Sequence, residues 1–149
     1  MSGSQFGRAV VVSFIATFIA AIYGYWEVAL GLPRIDFALL LGMRLTPEGV
    51  SREFAYAFGI LQLFIDGAIL GLFFVRVMRG ILPGGDVVKG LSYGIIVWVG
   101  SSLIVSPLFG AGLFWVRWGV ATLSGVFIWH LIWGLTLGIA YRLSLPKGG

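Results

Sequence analysis

Four stretches of the chain are almost unbroken in apolar character, and polar residues gather between them. The runs are 9–32, 54–75, 90–109 and 119–141. A bilayer core about 30 Å thick is crossed by about 20 apolar residues in helix, so each run is long enough to span it once. The pattern predicts an all-α polytopic membrane protein, a four-transmembrane-helix bundle forming one domain over 1–149. The first run follows Arg8 and is too long for a signal peptide, and "FIAAIYGYW" offers no small-x-small cleavage site. It reads as a permanent anchor. Segment 34–53 is the one long connection, and its apolar part, Phe37 to Met43, is too short to cross. It is expected at the outer interface or as a shallow helix against the spans.

Composition agrees. Of 149 residues 59% are hydrophobic and 11% charged, against about 25% charged in soluble domains. The 23 glycines fall largely inside the apolar runs, where they favour close helix packing. The absence of cysteine excludes disulfides, thiolate metal sites and cysteine nucleophiles. A net charge of +4 is what cytoplasmic loops rich in Lys and Arg produce, and it does not call for nucleic acid. Four spans would place Arg8, Arg76, Arg79, Lys89, Arg142 and Lys147 on one side. Arg34, Arg44, Arg52 and Arg117 fall on the other, opposed by Asp36, Glu48 and Glu53. That bias puts both termini in the cytoplasm.

Spans two and four align without gaps over their central part. "FIDGAILGLFF" falls on "LIWGLTLGIAY", Gly67 on Gly134 and Gly71 on Gly138. Span three opens with another G-x-x-x-G, Gly90 and Gly94. Glycines four apart form a flat stripe that a neighbouring helix can approach closely. Two helical hairpins related by duplication are the expected architecture.

Polar groups inside the runs are the candidate chemistry. Asp66 lies ten residues before Arg76 and His130 twelve before Arg142, about 15 and 18 Å in at 1.5 Å per residue. Gln62 stands one turn from Asp66. A charged carboxylate at mid-depth costs about 2.5 to 3.5 kcal/mol on insertion scales, so it should be protonated or paired inside the bundle. Asp66, His130 and Gln62 are expected to approach one another. Three uses stay open: a hydrogen-bonded clasp that sets helix register, a proton or ion path, and a haem or metal ligand. One histidine excludes bis-histidine haem within the chain, so haem at His130 would need a partner subunit. No intrinsic cofactor or metal is expected, and bound lipid is. Glu27, beside Tyr25 and Trp26, is expected to snorkel to the outer interface. Pro107 should bend span three, with Ser101, Ser102 and Ser106 serving the freed carbonyls. The two tryptophans around Arg117 read as an outer aromatic belt. No catalytic fingerprint is present, so there is no positive case for an enzyme.

Three stretches, "GLPRIDFALLLG", "GLSYGIIVWVGSSLIVSPLFGAGLF" and "WHLIWGLTLGIAYR", resemble a family of uncharacterised four-span bacterial membrane proteins, a domain of unknown function with a tandem hairpin repeat. The most specific parts are "P-x-x-GAGLF" and "H-x-x-x-G-x-x-x-G-x-x-Y". The resemblance implies the topology, the repeat and a bacterial inner-membrane location, and no activity. Family members carry a histidine near the start of the second-span G-x-x-x-G. This chain has "LQLFIDG" there, a departure that weighs against a ligand role for paired histidines. Two functions are expected from different classes. One is an accessory, non-catalytic subunit of a larger membrane complex, respiratory or otherwise electron-transferring, with other membrane subunits as partners. The other is a small oligomeric proton-linked transporter or channel using Asp66 and His130.

Overall fold

The computed structural model describes residues 3–33 and 35–145; Arg34 and Lys147 of the charge pattern lie outside them. Helix α1 is Gly3–Trp26 and continues as a 3₁₀ turn, Glu27–Leu30. A short helix α2, Phe37–Leu45, leads to the long α3, Arg52–Phe73. A π-helical turn, Phe74–Met78, and the brief α4, Arg79–Ile81, extend α3. Then come α5, Asp86–Leu108, a 3₁₀-like turn, Leu113–Trp118, and α6, Val120–Ser144. All described elements are helical, and four helices are long and apolar enough to cross a membrane.

Local chemistry marks the boundaries. Asp36 caps α2 by accepting the Leu39 N–H at 3.0 Å, and Ser51 caps α3 by accepting that of Phe54 at 3.2 Å. Between them Thr46 Oγ1 donates back to the Gly42 carbonyl at 2.7 Å, and Gly49 turns the chain at φ 88°.

The helices are arranged in the order α5, α6, α1, α3, α2. Each contact in that series is made by small residues. A Cβ built on Gly90 would stand 2.5 Å from the Gly134 carbonyl oxygen, and one on Gly134 2.5 Å from that of Gly90. Gly94 and Gly138 are as tight, against the backbone oxygens of His130 and Asp86. In the other hairpin Gly67 receives the Thr17 hydroxyl and Gly71 that of Ser13. The two glycine stripes therefore face the preceding long helix in both hairpins. Helix α1 presents a matching small stripe of Ala9, Val12, Ser13, Ala16, Thr17 and Ala20, all buried. Thr17 accepts the Trp133 indole N–H of α6 at 3.2 Å.

Helix α2 docks on α3 by the same rule. Methyl groups on Gly42 and Gly59 would overlap the carbonyl oxygens of Ala55 and Ala38 respectively. These pairings run α2 antiparallel to the start of α3, so α2 climbs back along it from a start deeper in the bundle. At the foot of the climb Phe37 meets Trp115 and Trp129, with ring centroids 5.6 and 6.3 Å apart.

Helices α3 and α5 do not pack along their length. They are tied only towards the termini. There the Tyr93 hydroxyl donates to the Leu70 carbonyl at 2.9 Å, and its ring stacks on Phe74 of the π turn. Arg79 pairs with Asp86 at 2.5 Å and lies 4.7 Å above the Tyr141 ring.

A side chain at a backbone-to-backbone contact should break it. Gly59→Val is expected to cost about 1–3 kcal/mol by overpacking, read as a lowered unfolding midpoint in detergent. Gly100→Val, with nothing within 4 Å of the added Cβ, should leave that midpoint nearly unchanged. Equal midpoints would refute the α2–α3 contact.

Candidate functional site

The gap between α3 and α5 holds a cavity of about 160 Å³. Its walls come from α1, α2, α3, α5 and α6, and Phe109 and Trp115 close it at the α2 end. Asp66, Ser101 and His130 are its main polar residues, set among Leu63, Leu70, Val97, Trp129 and Trp133. Asp66 and His130 thus face one space from different helices.

They do not touch. Asp66 Oδ1 accepts the Gln62 side-chain N–H at 2.8 Å, one helical turn away on α3. His130 is buried, 8% exposed, and its Nδ1 lies 2.8 Å from the Val126 carbonyl oxygen. That oxygen can only accept, so Nδ1 carries the proton and the neutral ring keeps its lone pair on Nε2. Ser101 Oγ is 3.3 Å from Nε2 and donates to the Trp98 carbonyl at 2.9 Å. A hydroxyl has one proton, so Ser101 shares it between the Trp98 carbonyl and Nε2. Among the described residues no hydrogen bond or ion pair joins Asp66 to His130. The expected direct pair is instead two acceptors on opposite walls, one supported by Gln62 and the other by the Val126 carbonyl and Ser101.

The glycines read from the sequence lie outside this site except Gly67, which lines the cavity. Gly71, Gly90, Gly94, Gly134 and Gly138 set the helix separations that leave it open.

Three sequence readings change. Trp115 is not part of an exposed belt: it is 1% exposed and roofs the cavity. Phe114 and Trp115 adopt left-handed backbone, φ 52° and 62°, a conformation non-glycine residues rarely take. Ser106 holds them there. Its hydroxyl donates to the Gly112 carbonyl and accepts the Trp115 N–H, the latter at 2.9 Å. The three serines also do not serve the Leu103 carbonyl that Pro107 leaves free, since Ser101 turns to Trp98, Ser106 to the loop, and the buried Ser102 Oγ has no partner among the described residues.

Glu27 does not snorkel. Tyr25 and Trp26 are exposed as expected, but Glu27 is 1% exposed. The backbone N–H of Ile35 donates to its carboxylate, and its own carbonyl accepts the Leu32 N–H at 2.9 Å. The residue fastens the connecting segment to α1. Pro33, six positions on, is the available signal, because a chain forced to turn back covers whatever it crosses.

Among the described residues no group of three or more His, Asp or Glu could hold a metal ion. One imidazole nitrogen and one carboxylate share the cavity, enough to exchange a proton or bind a hydrogen-bond donor. Comparison with family models, curated proteins and solved structures finds no match for this chain.

Ser106→Ala would leave the Trp115 N–H and the Gly112 carbonyl without their partner in a buried loop. A loss of about 1–3 kcal/mol is expected. It should appear as a lower unfolding midpoint together with faster hydrogen exchange at the Trp115 amide. Unchanged exchange would show that the left-handed turn is held by other contacts.

Proposed function

We propose that this chain is an integral membrane protein that crosses the bilayer four times, with both termini in the cytoplasm, and passes protons as a small oligomeric proton-linked transporter or channel. The observation that carries the reading is that Asp66 and His130 line one cavity from α3 and α6, Asp66 held by Gln62 and His130 by the Val126 carbonyl and Ser101. Ionisable groups in a membrane interior are costly and mark proton and ion paths. The cavity lies where α3 and α5 fail to close, so a modest movement of the two hairpins would widen or seal it. The distribution of Lys and Arg favours the stated orientation. The matching use of the glycine stripes in the two hairpins supports their origin by duplication.

A second reading, an accessory non-catalytic subunit of a respiratory or other electron-transfer complex, is favoured by a different observation. Ile65 and Ile69 on α3, and Leu103 and Ile104 on α5, are exposed apolar residues on the two helices that border the open cleft. A helix of another subunit seated along these faces would complete the packing.

Purified protein in liposomes under an imposed pH gradient should pass protons faster than empty liposomes. Asp66→Asn should return the flux to the empty-liposome rate while the protein remains folded. Undiminished flux in that variant would remove the transport reading. Gentle extraction followed by native mass spectrometry tests the second, and a bare monomer or homo-oligomer would remove it.

A further inference from the structure

A second cavity, of about 210 Å³, lies on the opposite side of Phe37, Leu63 and Trp129, which line both. It forms because α1 and α3 separate. They touch at Ser13–Gly71 and Thr17–Gly67, then diverge towards the α2 end. At the outer edge the hydroxyls of Tyr25 and Tyr56 meet at 2.7 Å and bar the gap.

Two carboxylates line this space, Glu27 and Asp36. Each has one oxygen engaged by backbone, from Ile35 and from Leu39 respectively. The other oxygen of Glu27, Oε2, is buried and among the described residues has no hydrogen-bond partner. Among the described residues no Lys, Arg or His lines the cavity. Its walls are aromatic, with Phe18, Phe37, Phe64 and Trp129 among them. A buried carboxylate without a counter-charge is costly, and aromatic faces attract cations.

We propose that this cavity binds an organic monocation, an ammonium ion bearing apolar substituents, with Glu27 as its counter-ion. The carboxylate meets the charge, while the rings meet the substituents and add cation–π attraction, as in aromatic cages for quaternary ammonium groups. The volume exceeds the roughly 150 Å³ of an apolar cavity that holds benzene. Calcium or magnesium is a poor fit, because each takes about six or more oxygen ligands and most of the wall supplies none. A neutral lipid tail would fill the space and leave Glu27 unmatched. The site deepens the transport reading by naming a cargo class, yet binding at equilibrium does not require that reading to hold.

The test is calorimetric titration of the purified full chain in nanodiscs with benzyltrimethylammonium. Its neutral isostere, neopentylbenzene, in which carbon replaces the charged nitrogen, is titrated in parallel. Saturable binding of the cation is expected, at least about tenfold tighter than the isostere, since charge pairing in a buried site outweighs shape alone. Glu27→Gln should weaken the cation at least about tenfold and leave the isostere unchanged. Asp66→Asn, on the other side of the partition, should leave both unchanged. Equal affinity for cation and isostere, or full affinity in Glu27→Gln, would overturn the proposal. Should Glu27→Gln fail to fold, the comparison of the two ligands on the unaltered protein decides. Loss of proton flux in Asp66→Asn bears only on transport, and loss of cation preference only on this site.

Discussion

Contact between helix backbones at positions without bulky side chains is the constraint from which the rest of this structure follows. Lipid tails are as apolar as leucine, so in the bilayer proposed for them these helices would gain little by burying leucine against one another. What remains is dispersion at short range, and that requires glycine, alanine or serine at the crossing points. Gly90, Gly94, Gly134 and Gly138 bring α5 and α6 within van der Waals reach along two turns, and Ser13 and Thr17 do the same for α1 on Gly71 and Gly67. Helix α1 takes both α3 and α6 as close neighbours, while no such small-residue contact joins α3 to α5 along their length. The cleft is therefore a geometric residue of where the small residues fall.

Two spaces of opposite character result. Between α3 and α5, Asp66 and His130 offer acceptors on facing walls. Between α1 and α3, Glu27 and Asp36 stand within an aromatic enclosure. Phe37, Leu63 and Trp129 separate them. Phe37 begins the climb of α2, so the turn that fastens to Glu27 also supplies the partition. A displacement of α2 would reach both spaces at once, which gives the fold a physical route for coupling events in one to events in the other.

Much of this architecture was legible from residue types alone, because length and apolar content are enough to mark helices that could span a bilayer. The glycine stripes were legible too, though not their partners. That Gly67 and Gly71 would meet hydroxyls depended on polar residues of α1 that attract no notice in an apolar run. Ala38 and Gly42 against Ala55 and Gly59 escaped for a similar reason, since alanine in a helix is ordinary until another backbone lies on it. The positions of Asp66 and His130 along their helices follow from counting residues back from Arg76 and Arg142. Their separation across a cavity does not, because it depends on which helices stay apart. Glu27 misled because a tyrosine and a tryptophan beside it suggest an interface, while a rotation of about 100° per residue turns its side chain inward. Trp115 misled because its burial needs a left-handed backbone that no local preference anticipates.

The π turn at Phe74–Met78 has a bearing on how the two hairpins are joined. A π turn accommodates one more residue than the α-helix it interrupts. The proposed repeat matches Phe74 with Tyr141, and beyond that point Arg76 stands one place out of step with Arg142. Discounting one residue within the turn brings the two arginines into correspondence. The wide turn lies where the helix leaves its glycine contacts. The added residue swings the following residues around the helix axis without disturbing those before it. Arg79 is thereby carried to Asp86 and the face of Tyr141, which latches the two hairpins together.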